Sequence, residues 1–176
     1  MADINRERLL HYLELIDSGL KGVTGKVDLF CVGGTALTLY KMKNVSEDID
    51  LMISQKDFVH ITGVTAQIEH RHKVRIDLMR EGEVFDYFLP PDYKARAKRY
   101  PTTFKNINLY VLSDVDIVIM KALSGRAKDY GDIISLSKTI GKEELVKRFH
   151  ELRFKKGKRK ECELKLSTFF RGVNSE

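Results

Sequence analysis

Residues 32–53 read VGGTALTLYKMKNVSEDIDLMI, and this stretch decides the fold. An apolar run at residues 27–32 predicts a short strand leading into it. Gly33 and Gly34 then break the strand, and residues 35–42 predict a helix. A second strand is expected at 49–53. Glycines adopt dihedrals closed to other residues and let a backbone approach a ligand closely. The first turn of a helix offers unpaired N–H groups and the positive end of a dipole. Strand, glycine pair and helix start together form a seat for phosphate, to which the Thr35 hydroxyl could add a contact.

Asp48 and Asp50 follow in the same stretch. Residues two apart on a strand face one side, so Ile49 and Leu51 are expected to be buried opposite them. Two carboxylates at about 4 Å, with an effective dielectric near 20, repel by about 4 kcal/mol, or about three pKa units. A Mg²⁺ ion removes that penalty, since it takes hard oxygen ligands together with substrate phosphates. Further on, residues 73–79 alternate. Val74, Ile76 and Leu78 share one face, while Arg75, Asp77 and Met79 share the other. Asp77 thus supplies a third outward carboxylate, able to complete a one- or two-metal site.

Outward from this centre, Leu9, Tyr12, Leu13 and Ile16 share one face of an opening helix at 5–18. A helix is expected at 56–69, a strand at 83–89 ended by Pro90-Pro91, and a strand at 108–112. Residues 92–104 read as a loop with a helical turn. Its Lys94, Arg96, Lys98 and Arg99, set among Tyr93, Tyr100 and Phe104, would suit single-stranded nucleic acid or form a solvated loop. Ser113, three residues before Asp116, reads as an N-cap for a helix at 114–123. A second helix covers 128–138, and one or two helices finish the chain. Strands early and helices late argue for an α+β fold: a mixed sheet flanked by helices with a C-terminal helical extension. The division expected is 1–112 as core and 113–176 as a helical region packed on it. His70 and His72 read as part of a surface loop, without a third ligand at zinc spacing.

The segments VGGTAL and SEDIDLMI resemble the nucleotidyltransferase superfamily, whose members include DNA polymerase β and minimal nucleotidyltransferases. They look most like the branch of abortive-infection nucleotidyltransferase toxins. The resemblance implies that Gly33, Gly34 and Thr35 hold the triphosphate, that Asp48 and Asp50 bind metal, and that Asp77 is a metal ligand or a base for the acceptor. A second block, SDVDIVIMKALSGRAKDYGDI at 113–133, is similar to that branch's segment with a helix-borne lysine. It implies nucleotide-binding roles for Lys121 and Arg126, with Asp129 and Asp132 orienting Lys121 or the nucleotide. Lys121 could meet a triphosphate oxygen as a point charge and Arg126 bidentately; a surface lysine beside an apolar stripe is the alternative. The implied activity is Mg²⁺-dependent (or Mn²⁺-dependent) transfer of a nucleoside monophosphate from an NTP to an acceptor hydroxyl. An RNA 3′ end is one such acceptor, and an antitoxin-like protein partner is implied with the toxin branch. A nucleotide- or RNA-binding module of the same fold, without turnover, is the competing reading. No G-x-x-x-x-G-K-[ST] occurs, which disfavours P-loop phosphotransfer.

Bulk properties agree with these expectations. The 176 residues are 43% apolar, enough for a core. No apolar run is long enough for a membrane span, and no leader pattern opens the chain. The distant cysteines, Cys31 and Cys162, suggest neither a disulfide framework nor a zinc site, so a cytosolic setting is expected. Net charge is +6, and it is localised. Residues 147–160, KRFHELRFKKGKRK, hold eight Lys or Arg and one Glu. Such a stripe could bind a polyanion such as an RNA acceptor, or be a solvated helix face.

Overall fold

The computed structural model describes residues 3–173. In chain order the elements are β1 (Ile4–Asn5), α1 (Arg6–Gly19), β2 (Val27–Cys31), α2 (Gly33–Leu39), β3 (Val45–Ser46), β4 (Ile49–Ile53), α3 (Phe58–His72) and β5 (Ile76–Arg80). There follow β6 (Glu83–Val84), β7 (Tyr87–Phe88), α4 (Tyr93–Arg96), β8 (Lys98–Arg99), β9 (Ile107–Val111), α5 (Asp114–Ser124), α6 (Ala127–Thr139), α7 (Lys142–Glu151), β10 (Arg153–Phe154) and α8 (Arg159–Val173). They form two compact units: Met1–Glu81 with Ala97–Leu112, and Gly82–Arg96 with Ser113–Glu176. The expected cut after residue 112 is therefore one of three crossings, and the 82–96 segment belongs with the helices. The architecture is α+β, with a mixed five-stranded sheet flanked by helices and helices closing the chain.

In the first unit the sheet order is β5-β4-β2-β9-β8. β2 runs antiparallel to β4 and parallel to β9, while β4 and β5 are parallel. Ile49, Leu51, Met52 and Ile53 are all buried. This near-continuous apolar run marks a strand covered on both faces. β5 is an edge strand, so only Ile76 along it is fully covered. α1 is capped by Asn5, whose side chain accepts from the Arg8 N–H at 2.9 Å. Its far end is anchored by the buried Asp17 carboxylate, which accepts from Asn106 N–H at 2.6 Å and Ile107 N–H at 3.0 Å. These bonds tie the helix to the start of β9.

The second unit is built around α5. Nine consecutive residues, Val115–Leu123, are buried, as expected of a helix enclosed on all sides, and α6, α7 and α8 pack against it. Ser113 caps it as expected, accepting from Asp116 N–H. The strand expected at 83–89 is instead a hairpin. β6 and β7 pair antiparallel around Phe85-Asp86, with Phe85 at φ +25°, and β10 adds a third strand. His70 and His72 lie in the last turn of α3 rather than in a loop. The ring of His72 packs edge-on to Tyr12 at 5.8 Å.

The basic segment 147–160 spans the end of α7, β10, a turn and the start of α8. Half of its cations are engaged internally. Arg148 is only 2% exposed; its Nε donates to Asp116 at 2.7 Å, and Nη1 donates to Asp92 at 2.8 Å and Glu151 at 2.9 Å. Lys155 pairs with Glu83, Lys158 with Asp86 and Glu161, and Arg159 with Glu163. Exposed Arg153 stacks over the Phe88 ring. In the 92–104 segment Tyr93 is buried, and the Tyr100 hydroxyl accepts from Arg6 at 2.7 Å. Both aromatics are thereby committed to the fold. Among the described residues no helix is long and apolar enough to cross a membrane.

Breaking a buried ion pair by removing one partner leaves an uncompensated charge. Arg148→Ala should therefore cost about 3–5 kcal/mol in urea unfolding, whereas Lys147→Ala on the exposed side of α7 should stay within about 0.5 kcal/mol.

Candidate active site

β4 and β5 pair in parallel with Asp50 opposite Asp77, so strand register alone brings two carboxylates side by side. Asp48 sits one residue before β4. All three are half-buried, and one carboxylate oxygen from each lies within 4.8 Å of the others. Sequence alternation nominated these three residues, and the structure brings them together.

The glycine turn is built around the same aspartates. Gly33 has φ +54°, and a Cβ there would lie 2.5 Å from Asp50 Oδ2. Both the dihedral and the close approach demand glycine. A Cβ on Gly34 would meet Ser46 Oγ, also at 2.5 Å. Thr35, expected as a triphosphate contact through its hydroxyl, has that hydroxyl committed elsewhere. The side chain is fully buried; Oγ1 accepts from Asp50 N–H at 2.8 Å and faces the Asp48 carbonyl at 3.4 Å. Thr35 therefore clamps the backbone of the Asp-Ile-Asp strand onto α2. The Val32 N–H adds a bond to the Asp50 carbonyl at 3.2 Å. On the adjoining strand, burial and the negative Asp50 push the Cys31 thiol far up, so it stays neutral.

The donor set consists of carboxylate oxygens only, with no thiolate or imidazole among the three. It suits a hard cation such as Mg²⁺ or Mn²⁺ and not a zinc-type site. Sequence reasoning passed over a fourth member, Arg75. Its guanidinium forks onto Asp77, Nε to Oδ1 at 3.0 Å and Nη2 to Oδ2 at 2.8 Å. The same alternation that placed Asp77 outward places Arg75 beside it, so the signal was present.

Lys121 and Arg126 belong to the second unit. Lys121 is 5% exposed, and its ammonium donates to Asp129 at 2.7 Å and Asp132 at 2.9 Å. Asp129 also takes bonds from the Ser124 hydroxyl and from Nε of the exposed Arg126, each at 2.7 Å. Burial pushes the Asp129 carboxyl upward. The hydrogen bonds from Lys121, Ser124 and Arg126 outweigh it and hold the group below its usual range. Asp129 and Asp132 do orient Lys121, and in doing so they neutralise it.

Fold and acidic site define a protein of the nucleotidyltransferase-like class. The chain belongs to a family described as "Nucleotidyltransferase of unknown function (DUF6036)", which it matches over residues 7–169. No curated protein matches the sequence. Among solved structures, the crystal structure of an antigenic nucleotidyltransferase-like protein from Paracoccidioides brasiliensis is similar, with TM-score 0.56 and 17% identity. The match covers 97% of this chain and 91% of that one; at this identity the likeness concerns the fold alone.

Thr35→Val strands the Asp50 N–H and should cost about 1–3 kcal/mol in denaturant unfolding. Gly33→Ala should add about 1–3 kcal/mol of backbone strain and, by displacing the Asp50 carboxylate, weaken Mn²⁺ binding followed by electron paramagnetic resonance. The lowered Asp129 group stabilises the fold above its unfolded value of about 3.9, and that contribution is lost as pH falls through the folded value. The stability gap between wild type and Asp129→Asn should accordingly narrow below about pH 4.

Proposed function

We propose that this protein transfers a nucleoside monophosphate from an NTP to an acceptor hydroxyl, using Mg²⁺ or Mn²⁺ held by Asp48, Asp50 and Asp77. One observation carries the reading: three half-buried carboxylates converge within 4.8 Å beside the Gly33 turn. A bound divalent ion would supply Lewis-acid stabilisation of the triphosphate and lower the pKa of the acceptor hydroxyl. In the transfer the acceptor oxygen bonds to the α-phosphorus as the bond to the pyrophosphate oxygen breaks. The hydroxyl proton passes to Asp77 or to water. The chain's part is positional: Thr35 holds the backbone of the Asp48–Asp50 strand, and Gly33 leaves room for the Asp50 carboxylate. The backbone at Gly33 and Gly34 is the natural cradle for phosphates. Of the second-unit cations nominated for nucleotide binding, Arg126 is exposed while Lys121 is spent on two carboxylates.

An RNA 3′ end is the acceptor favoured by the exposed cations of segment 147–160, which include Lys147, Arg153, Lys156 and Lys160. Activity as a toxin checked by an antitoxin-like partner rests on the family-branch resemblance of VGGTAL and SEDIDLMI. Growth arrest on expression that Asp48→Ala abolishes would support it. A non-catalytic nucleotide- or RNA-binding module is favoured by one observation, the Arg75 guanidinium already seated on Asp77. NTP binding that ignores Mg²⁺ would favour that module.

The deciding experiment incubates the protein with each α-labelled NTP, total RNA and Mg²⁺. Label should become covalently attached with release of pyrophosphate. Asp50→Ala should lower the yield more than about 100-fold, beyond the usual effect of losing an outer-shell partner. No transfer by wild type, or equal transfer by the variant, sinks the proposal.

A further inference from the structure

Arg75 lies one position before β5, two residues from Asp77 and on the same side of the chain. Its fork uses both oxygens of the Asp77 carboxylate. The side chain is 57% exposed, so the guanidinium is open to solvent and to an incoming anion. Arg75 is thus the counter-ion of Asp77.

A cation on Asp77 must take at least one oxygen that Arg75 now uses. A metal and a guanidinium on one carboxylate repel each other and divide its charge, so each weakens the other's hold on Asp77. A triphosphate supplies the anion that relieves this repulsion, and guanidinium forks bind phosphate well.

We infer that Arg75 is a resident counter-cation that competes with the divalent ion for Asp77 and makes metal occupancy depend on the nucleotide's arrival. The inference rests on the metal-binding reading above and adds a regulation to it. Metal alone binds weakly against Arg75, and metal with NTP binds together as Arg75 transfers to phosphate. Arg75 offsets the Asp77 charge in the meantime.

The test is a Mn²⁺ titration of the full chain, followed by electron paramagnetic resonance, with and without a non-hydrolysable NTP analogue. Wild type, Arg75→Gln, Arg75→Lys and Asp50→Asn are compared. Arg75→Gln should bind Mn²⁺ alone about two- to fivefold tighter, the scale of an exposed ion pair, and should gain less from the analogue than wild type does. Arg75→Lys, whose single ammonium lacks the fork, should fall between. Unchanged or weaker binding of Mn²⁺ alone by Arg75→Gln overturns the inference, because an arginine that merely orients Asp77 would give that result. If wild type binds no more Mn²⁺ than Asp50→Asn in either condition, the metal site itself fails, and both readings fall.

Discussion

Like charges gathered on one edge of a sheet set the terms for the first unit. Asp48, Asp50 and Asp77 offer oxygens within 4.8 Å of one another, and such a cluster is stable only if something balances it. The surrounding structure holds the carboxylates in place instead of letting them spread. The β4–β5 register fixes Asp50 against Asp77. Thr35 fastens the strand backbone to α2, and the missing Cβ of Gly33 lets that turn close over the Asp50 carboxylate. Arg75 then offsets part of that charge, at Asp77.

The second unit solves a related problem in the opposite way. Its buried charges are paired inward. Arg148 satisfies Asp116, Asp92 and Glu151, and Lys121 satisfies Asp129 and Asp132. Buried pairs of this kind contribute little net stability against an apolar alternative but are costly to break. They therefore act as fixed points around α5. The triad differs because it is half-buried and its own cation is solvent-exposed, the arrangement expected where an incoming ion must be able to take over.

Much of the fold was legible where its signals are local. The strand at 49–53, the glycine break before it and the Ser113 cap each follow from residues within a few positions of one another. The helix expected at 35–42 starts two residues earlier and ends three earlier, since Gly33 at positive φ opens the helix itself. The strand expected at 83–89 failed for a similar reason: apolar alternation does not reveal that Phe85-Asp86 turns the chain back on itself. Thr35 reads the same in sequence whether its hydroxyl meets a ligand or a neighbouring strand. The basic run 147–160 looked uniform, although Arg148 is core and Lys147 beside it is not.

By itself the sequence determined which aspartates could share a face and where glycine was needed, because strand alternation and backbone sterics act over two or three residues. Only the tertiary structure decided that Asp77 meets Asp50, through parallel pairing of strands that a helix separates. It also decided which cations are spent. Arg148 finds two of its three carboxylates 32 and 56 residues away, and pairing at that separation is set by packing, which local pattern does not encode.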